Sequence, residues 1–187
     1  MLGLGSTVVR SNAFETDPNY LGSYISDFSS GIDNFQKLSV HSNSTKLTLS
    51  SATGPDGTAG WLKGVFSQDQ PDVVTIYKND ISTPWTRTNT DYAVVSYKIH
   101  LVGDWEGEDD VGTNTWVGRR TGGGWAGGDY FTTAIAQDTN VEVSDVGSAM
   151  GINNYNTFQI QWNDSSDNPQ NEAEFYVKDI KVDFYKV

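Results

Sequence analysis

Apolar and polar residues alternate with a period of two along much of this chain. In residues 91–101, the apolar positions of one face are every second residue: Val95, Tyr97, Ile99 and Leu101. The same alternation occurs twice more, at Phe158, Ile160 and Trp162 and at Ile180, Val182 and Phe184. This period is typical of a strand with one buried face. The pattern therefore predicts three half-buried β-strands.

Shorter apolar runs predict further strands at residues 35–40, 46–49, 61–66, 73–77 and 132–136. His-Ser-Asn-Ser at 41–44 has the composition of a turn and predicts a hairpin between the first two of them. Helical periodicity does not persist beyond two turns anywhere. We therefore predict one all-β domain, an antiparallel β-sandwich of the jelly-roll type, over residues 14–187. Residues 1–13 fall outside the alternation and are predicted to form an N-terminal arm.

The segment DWEGEDDVGTNTWVGRRTGGGWAGGDYF, residues 104–131, combines three tryptophans with eight glycines. Glycine weakens regular strands, so this composition predicts loops that carry the three indoles. Indole rings on loops can stack on sugars while polar neighbours bind the hydroxyls, and Asn114 and Asp129 are further polar candidates. Tryptophan and arginine are also enriched in protein interfaces, and the loops could instead bury their own rings. The predicted ligand-binding residues are Trp105, Trp116, Arg119, Arg120, Trp125 and Tyr130.

Charge and composition exclude several classes of function. The net charge of −12 opposes binding to nucleic acid phosphates or to an anionic membrane surface. The chain has no cysteine, which excludes disulfides and thiolate metal sites. No apolar run reaches the length of a transmembrane helix. Neutral ligands, cations or a basic partner are the expected contacts.

Catalytic motifs are weak. His41 and His100 form no metal-binding pair in the sequence, and no nucleophile elbow or nucleotide-binding glycine motif is present. The acidic cluster consists of Asp104, Glu106, Glu108, Asp109 and Asp110. It is interpreted as a solvated loop, a cation site or a glycosidase carboxylate pair, although its spacing departs from the E-x-D-x-x-E pattern of sandwich glycosidases. We predict that the protein is not an enzyme.

Two short motifs resemble a known family. Asn-Ala-Phe-Glu at 12–15 is similar to the opening of jelly-roll carbohydrate-binding modules with a galactose-binding-like fold. The final strand of the same modules is similar to Glu-Phe-Tyr-Val-Lys-Asp-Ile-Lys-Val at 174–182. The resemblance implies a structural Ca²⁺ that joins the first and last strands, with Glu15 and Asp179 as ligands. Lys178 replaces the first aspartate of the usual pair. Calcium needs six to eight oxygens, so backbone carbonyls would have to complete this site.

The opening MLGLG resembles the start of virion proteins of aquatic tailed phages, and MLGLGSTVVR lacks the charged region of a secretory signal. The leading hypothesis is therefore a non-catalytic structural or decoration protein of a virion, in the capsid, neck or fibre. Its partners would be other virion proteins or itself, with a cell-surface glycan as a further ligand. The alternative is a free, extracellular carbohydrate-binding module that recognises a polysaccharide. A β-sandwich glycoside hydrolase or lyase is the third hypothesis.

Overall fold

The computed structural model describes residues 17–37, 46–67, 74–79, 81, 92–105, 110–121, 124–146, 157–162 and 172–186. Within these ranges the regular elements are eleven strands: β1 Tyr20–Ser26, β2 Gln36–Lys37, β3 Leu47–Ala52, β4 Trp61–Phe66, β5 Val74–Asn79, β6 Tyr92–Val102, β7 Asp110–Thr121, β8 Gly124–Ala136, β9 Val141–Val146, β10 Thr157–Trp162 and β11 Glu174–Tyr185. No helix among the described residues has the length and apolarity needed to cross a membrane.

The described strands form two antiparallel sheets. One has the order β3-β4-β11-β6-β9, with β1 also paired to β11, and is called the six-stranded sheet. The other has the order β2-β5-β10-β7-β8 and is called the five-stranded sheet. Strand β11 is central to the first sheet because β6 pairs along its whole length, while β4 pairs with its first half and β1 with its second. The predicted all-β antiparallel sandwich is confirmed.

The core lies between the two sheets and is built from the alternating positions. The apolar residues predicted from the period of two are all buried in β6, β10 and β11. The Trp162 ring of the five-stranded sheet packs 5.0 Å from the Phe175 ring of the six-stranded sheet, measured between centroids. Tyr97 and Phe158 make an edge-to-face contact across the same layer, with 6.1 Å between ring centroids. Burial of one face of each sheet explains the period in the sequence.

The glycine-rich segment was predicted to form loops, and this prediction is wrong for most of it. Residues 110–121 and 124–136 pair along their length as the antiparallel hairpin β7–β8, with Gly118 opposite Gly128. Strand β7 is also hydrogen-bonded to β10 on its other side. Backbone hydrogen bonds to β8 and β10 therefore stabilise β7 as a strand, although glycine has a low strand propensity.

Other strands predicted from the sequence are present in the structure with different ends. Strand β4 has the predicted bounds, β3 and β5 are shifted by one or more residues, and β8 extends well before residue 132. Strands β1 and β9 were not predicted. The arm at 1–13 and the turn at 41–44 lie outside the described residues.

Candidate functional site

The described side chains on the outer faces of the two sheets differ in charge. On the six-stranded sheet, lysines and carboxylates form ion pairs over the surface, among them Lys63–Glu174 at 2.6 Å and Lys181–Asp183 at 2.9 Å. We call this surface the charged face. The side chains in these two pairs are only 8–23% exposed, so the pairs are partly shielded from solvent.

The described side chains on the outer face of the five-stranded sheet are uncharged; Asp110, whose side chain lies outside the described part of the structure, is in phase with Asn114 and Trp116 on β7. Strand register places Thr75 opposite Gln161 and Tyr77 opposite Gln159, one step out of phase with the core residue Ile76. Cross-strand pairs share a face, so these side chains point away from the core. We call the surface the neutral face; its described polar and aromatic residues are Gln36, Thr75, Tyr77, Asn79, Asn114, Trp116, Thr132, Thr157, Gln159 and Gln161.

The polar groups of the neutral face are joined by hydrogen bonds between neighbouring strands and along them. These bonds run from Tyr77 Oη to Gln36 Oε1 at 2.8 Å, from Thr132 Oγ1 to Asn114 Oδ1 at 2.5 Å, from Thr157 Oγ1 to Asn79 Oδ1 at 3.0 Å and from Gln159 Nε2 to Gln161 Oε1 at 2.7 Å. In each, a side-chain amide accepts through its oxygen. The amides of the face are therefore held in defined orientations before any ligand arrives.

Aromatic rings accompany these amides. Trp116 on β7 and Tyr77 on β5 are both half-buried, and they flank β10 on opposite sides. Trp116 therefore lies on a strand and not on the loop predicted for it. A flat aromatic surface beside fixed amides is the combination that binds the faces and the hydroxyls of sugars.

The remaining predicted ligand residues of this segment lie in the same hairpin. The backbone of Tyr130 is opposite that of Trp116, and Arg120 is opposite Trp125. Arg119 is opposite Gly127, next to a bulge in the register. The backbones of these residues are described, whereas their side chains lie outside the described part of the structure.

Trp105 does not belong to this site, which corrects its predicted role. Its side chain is only 2% exposed and packs against Trp162 at 5.4 Å and Phe66 at 5.7 Å between ring centroids. A core indole cannot stack on a ligand. The signal that identifies it is the phase of β6, because Trp105 follows Leu101 by four residues and so keeps the buried positions of the alternation.

The acidic segment and the histidines show no catalytic arrangement in the described residues. Asp104 is exposed, Asp110 begins β7, and Glu106, Glu108 and Asp109 lie outside the described residues. His100 is largely buried on the charged face, where its Nδ1 is 2.8 Å from Asn140 Oδ1. His41 also lies outside the described part of the chain.

The predicted calcium ligands are only partly described. Asp179 interrupts β11 with a positive φ of 53°, and its carboxylate lies 3.4 Å from Lys98 Nζ. Glu15 lies outside the described residues. No group of three or more His, Cys, Asp or Glu side chains among the described residues is arranged to hold a metal ion. One carboxylate paired with lysine does not itself fit Ca²⁺, so calcium binding stays a prediction.

No family model matches the sequence, and no curated protein matches it. Solved structures do match the fold. The CBM22-2 xylan-binding domain of Paenibacillus barcinonensis Xyn10C has a TM-score of 0.56 at 14% identity, over 88% of this chain and 99% of that one. The CBM22-1 domain of the same protein has a TM-score of 0.54 at 11% identity, over 90% and 96%.

A third similar structure is a longer chain, the CBM22-1–GH10 modules of Clostridium thermocellum endo-1,4-β-D-xylanase 10B in complex with xylohexaose. Its TM-score is 0.58 at 12% identity. The match covers 90% of this chain but only 29% of the xylanase chain. This chain has the β-sandwich fold of carbohydrate-binding modules. The resemblance inferred from the two terminal motifs is thus confirmed at the level of the fold. The resemblance to phage virion proteins and the virion role gain no support from these neighbours.

Proposed function

We propose that this protein is a non-catalytic carbohydrate-binding module that binds a neutral polysaccharide on the neutral face. The observation that carries the proposal is the composition of that face. In a chain with 24 acidic residues, its described polar and aromatic side chains include no charged group and consist of amides, hydroxyls and two aromatic rings.

The physical argument rests on desolvation. A neutral sugar offers hydroxyls that both donate and accept hydrogen bonds, and a charged group buried under it would lose hydration without gaining a counter-ion. Accessible amides and hydroxyls, such as those of Gln36, Thr132 and Gln161, replace their water contacts with sugar contacts at much lower cost. The deeper polar residues of the face, Thr75, Asn114, Thr157 and Gln159, are at most 7% exposed. Amides already oriented by hydrogen bonds lose less freedom on binding, which favours affinity.

The aromatic rings supply the apolar contribution. A tryptophan buries 150–250 Å², and covering about a third of that area stabilises a complex by roughly 1–2 kcal/mol at 25 cal/mol per Å². Two or three such contacts, less the cost of association, correspond to a dissociation constant of about millimolar to micromolar. This is moderate binding, and it requires a polymer or oligomer that covers several contacts at once.

The structural neighbours guide the choice of ligand. Two of them are xylan-binding domains by description, and one was crystallised with xylohexaose. Xylan is therefore the first polysaccharide to test, beside agarose and a mixed-linkage β-glucan. We therefore also propose that the protein functions outside the cell, where such plant and algal polysaccharides are found.

The test is a titration of intrinsic tryptophan fluorescence with this panel, repeated by affinity electrophoresis. Wild type should bind at least one polysaccharide, and Trp116→Ala should weaken that binding tenfold or more. The control is Ile25→Ala, an exposed apolar residue on β1 of the six-stranded sheet, which should bind as wild type does. The proposal fails if wild type binds none of the panel or if both variants bind equally well. Release of reducing sugar would overturn its non-catalytic part.

A further inference from the structure

One hydroxyl of the neutral face differs from the others. Thr75 lies on β5 between the core residues Val74 and Ile76, and its side chain is 3% exposed. Within the described structure its Oγ1 has no hydrogen-bond partner. Buried hydroxyls are nearly always paired, because leaving one unpaired destabilises the fold. Thr75 therefore holds a hydrogen-bonding group that the described part of the fold does not use.

The other threonines of the face are partnered. Thr132 donates to Asn114 and Thr157 donates to Asn79, in both cases to an amide oxygen on the neighbouring strand. Thr75 also faces an amide across the strand pair, because Gln161 is directly opposite it. The Gln161 oxygen, however, accepts from Gln159 Nε2 on its own strand.

This arrangement joins two complementary groups at one position. Because Gln161 Oε1 accepts this hydrogen bond, the NH₂ group is the part of the Gln161 amide that can donate to a ligand. Side chains directly opposite in an antiparallel pair have Cβ atoms about 4.5–5.5 Å apart, so the Gln161 amide reaches the region of the Thr75 hydroxyl. A hydroxyl that both accepts and donates a hydrogen bond matches this pair.

We propose that Thr75 and Gln161 form a hydroxyl-binding subsite within the neutral face, specific for one unsubstituted hydroxyl of a neutral sugar. The inference rests on the proposed function and deepens it. The sugar hydroxyl accepts from Gln161 Nε2 and shares a hydrogen bond with Thr75 Oγ1. Because Thr75 is so little exposed, the hydroxyl reaches it only when neighbouring side chains shift slightly, with the Gln159–Gln161 hydrogen bond kept, and bulkier groups are excluded.

The test uses variants of Thr75 in the full chain. Thr75→Val keeps the shape and removes the hydroxyl, whereas Thr75→Ser keeps the hydroxyl. The polysaccharide is whichever of xylan, agarose and mixed-linkage β-glucan wild type binds. Thr75→Val should weaken binding about three- to tenfold, the effect of one lost hydrogen bond, while Thr75→Ser should stay close to wild type.

Stability separates this role from a structural one. Thr75→Val should leave the urea midpoint unchanged or raise it, because it removes an unpaired buried hydroxyl. The matched control is Thr115→Val in the core, where Thr115 Oγ1 lies 2.6 Å from Tyr97 Oη, and this variant should lower the midpoint.

Three results would overturn the inference. Thr75→Val could bind as wild type does, or it could lower the urea midpoint as much as Thr115→Val, or Thr75→Ser could bind as weakly as Thr75→Val. A wild-type protein that binds no polysaccharide of the panel overturns the proposed function, and the subsite falls with it.

Discussion

Trp162 donates a hydrogen bond from its indole Nε1 to Thr113 Oγ1 across 3.0 Å in the middle of the core. Both side chains are fully buried, and they lie on the adjacent strands β10 and β7. This core indole of the five-stranded sheet thus has its polar atom satisfied inside the sandwich. This bond also explains why a threonine occupies this core position.

Thr113→Val should destabilise the protein by about 1–3 kcal/mol, because valine keeps the shape but leaves the indole N–H buried without an acceptor. Urea denaturation followed by circular dichroism measures the change. Thr48→Val, an exposed position on β3, serves as the control and should change stability by no more than about 0.5 kcal/mol. Equal effects of the two variants would contradict the role given to the hydrogen bond.

Trp105 and Trp116 should respond in opposite ways to replacement by alanine. Trp105→Ala should cost about 3–5 kcal/mol of stability, because it empties a core position between Trp162 and Phe66. Trp116→Ala should cost less, since Trp116 is half-buried, but it should reduce polysaccharide binding. Urea midpoints and fluorescence titrations of both variants give the two readouts. The reverse pattern would show that the ligand contacts Trp105.

Gly64 on β4 is required by close packing. A Cβ at this position would lie 2.1 Å from Phe175 Cε1, well inside contact distance. Gly64→Ala should therefore destabilise the fold by about 1–3 kcal/mol through overpacking. Ser50→Ala, an exposed position on the neighbouring strand β3, is the control. Phe175→Leu should relieve part of the Gly64→Ala penalty in the double variant, and strict additivity would argue against a direct clash.

The turn before β4 should make stability depend on acid pH. Asp56 Oδ1 accepts from the backbone N–H of Thr58 at 2.9 Å and from its hydroxyl at 2.7 Å. These bonds, together with one from Trp61 Nε1 at 3.0 Å, hold the pKa of Asp56 below its ordinary value of 3.8. In acid the unfolded chain then binds the proton more readily than the folded one, so this stabilisation is present above pH 3.8 and is lost as the pH falls through the lowered pKa.

The measurement is the urea midpoint of wild type and Asp56→Asn between about pH 5 and pH 2. Asparagine does not titrate, so the variant should lose less stability than wild type over this range. Thr58→Ala, which removes the hydroxyl donor and keeps the backbone N–H, should have an intermediate slope. Parallel curves for wild type and Asp56→Asn would refute the assignment.

The sequence by itself determined the parts of this protein in which one face is buried and the other is not. Strands β6, β10 and β11 follow from the alternation around Val95, Phe158 and Val182, because a half-buried strand imposes a period of two on the local sequence. The all-β class and the sandwich followed from these strands. The net charge of −12 likewise followed from composition alone.

Only the tertiary structure decided the glycine-rich segment and the candidate site. Strand β7 is stabilised by hydrogen bonds to β8 and to β10, and β10 is far away in sequence, so no local pattern reveals the pairing. The neutral face gathers Tyr77, Trp116 and Gln159 from three such strands, which only strand register brings onto one surface. Trp105 was predicted to bind a ligand, but it belongs to the core. The prediction was wrong because glycine content indicates only the freedom of the backbone, whereas burial depends on what packs against the side chain.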